Sequence, residues 1–202
     1  MIINNLSQHI FSAPSNITVL RTLNSRVVGI SGRETARISN LSIRTVQNVL
    51  AHLESLGLVN RTVGGRDHLF TLNRNNRIVD KLIKNIFVFE NEFKSEIFSM
   101  IKKKLSQLAS SLILFGSVAR YEEDLTSDFD LCIVYAGNRT MLEIAVSELR
   151  DKLYDDYHVT LAPFYIPQTD SKKRAKQNLS PVNDILKEGL LIAGQPIREL
   201  IK

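Results

Sequence analysis

Apolar residues recur along this chain at two periods, and each change of period marks a change of element. From Ile10 to Leu23 the spacing of Ile17, Leu20 and Leu23 is helical, and Pro14 suits the beginning of that helix. Ser31 followed by Glu34 is a capping box, which predicts a short helix through Ala36 and Ile38 that Asn40-Leu41-Ser42 interrupts. Ser42 caps a third helix running to about Leu56, with Ile43, Val46, Val49, Leu50 and Leu53 on one face and Gly57 as its stop. The period then shortens: Leu58 to Val63, Gly64-Gly65 and Arg66 to Leu72 predict a two-stranded hairpin. Arg77 to Ala109 returns to a helical stripe, from Val79 and Leu82 through Phe87, Phe93 and Ile97 to Leu108, as one helix or as two with a break near Asn91.

The middle of the chain carries the densest pattern. The apolar run Leu112-Ile113-Leu114-Phe115 ends in Gly116-Ser117. Ten intervening residues lead to Asp128 and Asp130, and Leu131-Cys132-Ile133-Val134 follows at once. Residues two apart in a strand share a face, so the two carboxylates project together, about 7 Å apart along the strand. That pairing suits a divalent cation whose remaining positions are filled by phosphate and water. Thr140 to Glu143 reads as another capping box opening a helix through Ile144, Val146, Leu149 and Leu153, and His158 to Tyr165 reads as a further strand. Helices and strands in this order make an α/β (α+β) chain.

Composition sharpens this in three ways. The 202 residues are enough for one large or two small domains, and 44% of them are hydrophobic, as in ordinary soluble cores. The longest apolar runs are too short for a bilayer, the first residues lack the basic region of a signal peptide, and the single Cys132 cannot form an internal disulfide, so the expectation is a cytoplasmic protein without a membrane partner. Cys132 falls in a strand as a core residue, and four scattered histidines give no zinc pattern. Third, the net charge of +5 is unevenly placed. Residues 1–77 hold nine arginines, no lysine and three acids, a net +6, whereas the remainder holds seventeen bases against eighteen acids, a net −1. Arginine's planar fork matches phosphate and base edges, so the basic N-terminal third points to nucleic acid.

Three helices followed by a Gly-Gly hairpin resemble a winged helix-turn-helix domain, on the phrase from Ser31 through Thr45-Val46 to Leu56-Gly57-Leu58-Val59. The resemblance implies DNA as partner and transcription regulation as context. It places Arg44, Thr45, Gln47, Asn48 and His52 on a recognition-helix face, and Arg61 and Arg66 in the wing. The division it suggests is residues 1–76 for this domain, 77–94 as a connecting helix, and 95–202 as a second domain. The phenylalanines of the connecting stripe then either pack the two domains together or form the seam of a homodimer, since two-fold DNA sites favour dimeric readers.

Phe115-Gly116-Ser117, Ala119-Arg120 and Ser127-Asp128-Phe129-Asp130-Leu131 resemble the signature of the polymerase-beta-like nucleotidyltransferase superfamily, particularly its minimal branch. The stretch from Asp184 to Gly194 resembles the closing helix and short strand of minimal nucleotidyltransferases. The resemblance implies a mixed sheet flanked by helices. It implies a nucleoside triphosphate whose phosphates lie at Gly116, Ser117 and Arg120, and Mg²⁺ (or Mn²⁺) at the catalytic Asp128 and Asp130. It implies transfer of a nucleoside monophosphate to an acceptor hydroxyl on a protein, an RNA or a small molecule. Two positions depart from the family. Thr160 stands where a third carboxylate is common, with Asp155 and Asp156 just before it as possible substitutes, and Tyr121 stands where a second glycine is frequent. Arg120 has Glu122, Glu123 and Asp124 as competing partners, and Lys172, Lys173, Arg174 and Lys176 form a basic loop open to a polyanion. Two readings remain: a nucleotidyltransferase fused to a DNA-binding winged helix, or a winged-helix regulator whose second domain senses nucleotide or is catalytically inactive.

Overall fold

The structure is a computed structural model that describes residues 4–65, 67–170, 173, 181–196 and 199. The chain divides into two compact units, Met1–Glu92 and Phe93–Lys202, each with its own core. No helix among the described residues is long and apolar enough to cross a membrane.

In the first unit, a short helix that the pattern did not indicate, α1 (Leu6–Ile10), precedes the helix expected from Ile10 to Leu23, which is α2 (Pro14–Asn24). Pro14 sits in the first turn of α2, where its missing N–H costs nothing. A two-residue strand, β1 (Ile30–Ser31), leads into α3 (Gly32–Ser39), whose Ser31 cap accepts from the Glu34 amide at 3.2 Å. Asn40 takes the left-handed conformation that ends α3, and Ser42 caps α4 (Ile43–Ser55) by accepting from the Thr45 amide at 3.0 Å. Gly57 at φ +72° turns the chain into the hairpin β2 (Val59–Gly64) and β3 (Asp67–Leu72). β3 is the middle strand of an antiparallel sheet ordered β1-β3-β2. Apolar faces of α2, α3 and α4, with Leu58, Val59 and Leu72 from the hairpin, close a core that Val79, Ile83 and Phe87 complete.

The long helical stripe begins as a π-helical turn, Val79–Ile83, and continues as α5 (Lys84–Leu105) without a break at Asn91, whose side chain donates back to the Phe87 carbonyl. The second unit is built on a four-stranded sheet of β4 (Ser111–Leu114), β5 (Phe129–Tyr135), β6 (Leu161–Pro167) and β7 (Leu190–Gly194), ordered β6-β5-β4-β7. β5 and β6 are parallel, and the other pairings are antiparallel. Its helices are α6 (Gly116–Arg120), α7 (Arg139–Tyr157) and α8 (Val182–Glu188).

Alternation along β5 assigns each residue to a face. Phe129, Leu131, Ile133 and Tyr135 enter the large core with α5 and α7, while Cys132 and Val134 enter a smaller core with Ile113, Phe115, Ile166, Val182 and Ile185. Cys132 is fully buried, and desolvation pushes its thiol pKa up to about 12, so it is inert packing. Two expectations shift. α7 is capped by Asn138, which accepts from the Thr140 and Met141 amides, and Glu143 pairs with Arg139 at 2.8 Å, so Thr140 and Glu143 form no capping box. The strand expected from His158 starts at Leu161, because His158 is the left-handed cap that ends α7.

Candidate functional site

Asp130 lies in β5 on the face that also carries Cys132 and Val134. Asp128 is the residue just before the strand, and its charge is felt at Asp130. Asp128 is exposed and Asp130 is half-buried. β4 runs antiparallel alongside, and its end is tied to this point by the Phe115 amide donating to the Asp130 carbonyl at 3.0 Å. The next residue, Gly116, has φ +74°, and a Cβ placed there would lie 2.1 Å from Asp130 Oδ2. Only a residue without a side chain lets the Asp130 carboxylate lie against this turn.

The electrostatics of the pair fit a divalent cation. Asp130's carboxyl is raised above its ordinary value, first by burial and then by the charge of Asp128, with Arg120 opposing. Two close carboxylates of which one is partly desolvated form an under-compensated negative site, the donor set a hard cation takes. Among the described residues no further histidine, cysteine or carboxylate joins them in a cluster of three. Phe129 pairs with Leu161 across the parallel strands, so one step earlier Asp128 lies beside Thr160, whose carbonyl accepts from the Phe129 amide at 2.8 Å. Asp155 and Asp156 are exposed in the last turn of α7, where Asp156 pairs with Lys152 at 3.7 Å.

The loop into Asp128 is fixed by Asp124, which the sequence suggested only as a competing partner of Arg120. Asp124 Oδ1 accepts from the Thr126 amide and hydroxyl, both at 2.8 Å, and from Ser127 Oγ at 3.2 Å. Those bonds, Thr126's hydroxyl foremost, hold the Asp124 carboxyl below its ordinary value. Arg120 donates through Nε to Glu122 at 2.7 Å and through Nη1 to Glu188 at 3.1 Å, and these two carboxylates raise its pKa. The guanidinium therefore ties α6 to α8 instead of standing open. Glu188 is 68 residues away in sequence, which hid it. Tyr121 ends α6 in the left-handed conformation, φ 60°, as the glycine common at this position would, with the Lys94 ammonium 4.6 Å from its ring centre.

In the first unit, Arg44, Gln47 and Asn48 are exposed on α4, and the exposed Ala51 and Ser55 continue that stripe at helical spacing. Thr45 and His52 do not join it. The Thr45 hydroxyl lies 2.8 Å from Ser42 Oγ in the N-cap, and His52 Nε2 lies 2.9 Å from the His9 carbonyl, an acceptor to which it donates. Arg61 in the hairpin is 3.1 Å from Glu54 of α4. Arg66, Lys172, Arg174 and Lys176 lie outside the described residues; Lys173 is exposed.

Comparison with known proteins adds an independent line. No curated protein matches the chain. Among solved structures, a toxin-antitoxin crystallised with AMP-PNP is 17% identical, with 53% of this chain and 79% of that chain covered and a TM-score of 0.36. A MarR-family transcriptional regulator from Rhodococcus sp. RHA1 is 14% identical, with 77% and 84% covered and a TM-score of 0.35. No inference about this chain rests on likenesses of that level. The family model described as "Nucleotidyltransferase domain" matches residues 95–189, a span that contains the Gly116 turn, both aspartates and Glu188. Residues 95–189 are a nucleotidyltransferase domain.

Proposed function

We propose that the protein binds a nucleoside triphosphate with Mg²⁺ (or Mn²⁺) at Asp128 and Asp130 and transfers a nucleoside monophosphate to an acceptor hydroxyl, and that residues 1–76 are a winged helix that binds DNA. The observation that carries the first half is the apposition of the Asp130 carboxylate to the side-chain-free Gly116 turn, with the Asp128 charge near enough to act on Asp130. Asp128 and Asp130 hold the cation, which supplies charge stabilisation at the phosphate oxygens. The Gly116–Ser117 backbone and the Ser117 hydroxyl lie against the phosphates, and Arg120 is released to them only by breaking its bonds to Glu122 and Glu188. In the transfer, the acceptor oxygen bonds to the α-phosphorus while the bond from that phosphorus to the β-phosphate's bridging oxygen breaks, and pyrophosphate leaves. The acceptor proton passes to solvent, because Thr160 is no base. Most of the catalysis is positioning and electrostatics, which the remaining residues supply.

The exposed Arg44, Gln47 and Asn48 on α4 support the DNA half, together with a net charge of +6 over residues 1–77. A second reading has a specific observation behind it. With Thr160 beside Asp128, the site can bind nucleotide without turning it over, which makes the protein a nucleotide-sensing transcription regulator. Label transfer separates the two. The protein is incubated with Mg²⁺, each α-labelled nucleoside triphosphate and a cell lysate, with the Asp128→Asn, Asp130→Asn double variant as control. Label moving to a protein, an RNA or a small molecule only with the wild type establishes the transferase. Nucleotide binding without transfer leaves the regulator, and binding by neither protein refutes both.

A further inference from the structure

The first unit contains a cavity of about 370 Å³ between the N-terminus of α3, the α4 helix and the β2–β3 hairpin. Its floor is apolar, formed by Leu50 and Phe70, and Gly32 opens onto both: a Cβ on Gly32 would meet Leu50 Cδ1 at 3.8 Å and Phe70 Cε2 at 4.0 Å. Its walls are charged. Arg61 and Glu54 neutralise each other across it, leaving Arg33 and His68 against Asp67. Arg33 makes no ion pair with a described residue, and it stands in the first turn of α3, where the helix dipole adds positive potential. The volume falls within the range of small-ligand sites, and an apolar body with a few placed polar groups is their usual lining.

We propose that this cavity binds a small anion with a planar apolar body, the planar part against Phe70 and the anionic group at Arg33 and the start of α3. An aromatic carboxylate and a mononucleotide share that chemistry. Gln47 and Arg61 border the same space, so an occupant sits between α4 and the hairpin and changes DNA affinity, with DNA changing the occupant's affinity by the same factor. That coupling rests on the DNA-binding reading; the occupancy does not.

The test titrates the full chain with 2-naphthoate and with adenosine 5′-monophosphate by calorimetry. Wild type, the Asp128→Asn, Asp130→Asn double variant, Gly32→Val and Arg33→Ala are compared, with circular dichroism melts as the folding check. Gly32→Val is chosen because its added atoms enter the cavity at ordinary contact distance. At least one probe should bind wild type and the double variant equally, lose at least tenfold in affinity with Gly32→Val, and weaken with Arg33→Ala in low salt. Preference for one probe identifies the source of the anion. The proposal is overturned if neither probe binds at millimolar concentration, or if binding survives Gly32→Val. It is equally overturned if nucleotide binding disappears with the aspartates, which assigns it to the second unit, or if Gly32→Val impairs only DNA binding, which makes the cavity part of the DNA face.

Discussion

Gly116→Ala tests the candidate nucleotide site most directly, because its effect is set by two separate features of one residue. The first is the backbone: φ is +74°, where an L side chain costs about 1–2 kcal/mol. The second is the neighbour. The new Cβ would lie 2.1 Å from Asp130 Oδ2 and 3.0 Å from its Cγ, so the carboxylate has to swing away, at about 0.5–1.5 kcal/mol if it leaves its rotamer well. Together these give a destabilisation of roughly 1.5–3.5 kcal/mol, read by urea unfolding. The displaced carboxylate no longer shares a cation with Asp128, so Mg²⁺-dependent triphosphate affinity should fall at least tenfold, about 1.4 kcal/mol, read by calorimetry below the unfolding range. Backbone strain alone would lower stability and leave the affinity intact. That result, or a variant indistinguishable from wild type in both measurements, refutes the claim that the missing side chain at Gly116 positions Asp130.

Three further outcomes are expected. Asp130's carboxyl is raised in the folded protein by burial and by Asp128, so the native state holds that proton more tightly than the unfolded chain, and ionising the group as pH rises costs stability. Metal-free Asp130→Asn should therefore melt above wild type at neutral pH, the gap should close as pH falls below the ordinary carboxylate range, and Mg²⁺ should raise only the wild type's melting point; a variant that melts lower, or responds to Mg²⁺, contradicts this. Thr160→Asp places a carboxylate beside Asp128 and should raise both Mg²⁺ affinity and any transfer rate, and a flat response in both means the site does not extend to β6. Arg44→Ala should weaken DNA binding by about 1–3 kcal/mol if Arg44 reads a base, and an unaltered gel shift removes it from the interface.

What could be read from sequence was what depends on neighbours a few residues apart. Ser31 and Ser42 cap as their spacing implies, and Asp130 falls on the Cys132 face of β5 as period-two alternation implies. What could not be read depends on partners far along the chain or on competition between nearby ones. β1 is two residues long and exists because β3, some forty positions later, pairs with it. The sequence offers Glu122, Glu123 and Asp124 as partners for Arg120, but not Glu188, which α8 brings to it. His52 has the spacing of the exposed α4 face, yet α1 offers it a carbonyl. At the start of α7 the cap is Asn138, and Glu143, which a capping box at Thr140 needs, is paired with Arg139.

Thr160 links these observations to function. Phe129 pairs with Leu161 and Tyr135 with Pro167, and the Phe129 amide donates to the Thr160 carbonyl, so on the β6 side the residue one step before the strand is Thr160. The acids nearest in sequence, Asp155 and Asp156, precede the left-handed turn at His158 and remain on α7. Two carboxylates suffice to share a divalent cation with a triphosphate, because phosphate oxygens and water complete its shell. A third carboxylate matters most to deprotonating the acceptor. In the proposed site, replacing it with a hydroxyl would weaken chemistry more than binding. Nucleotide affinity would then report on Asp128, Asp130 and Gly116, and transfer rate on the position beside Asp128, where an acceptor that brings its own base, or none, decides between a transferase and a sensor.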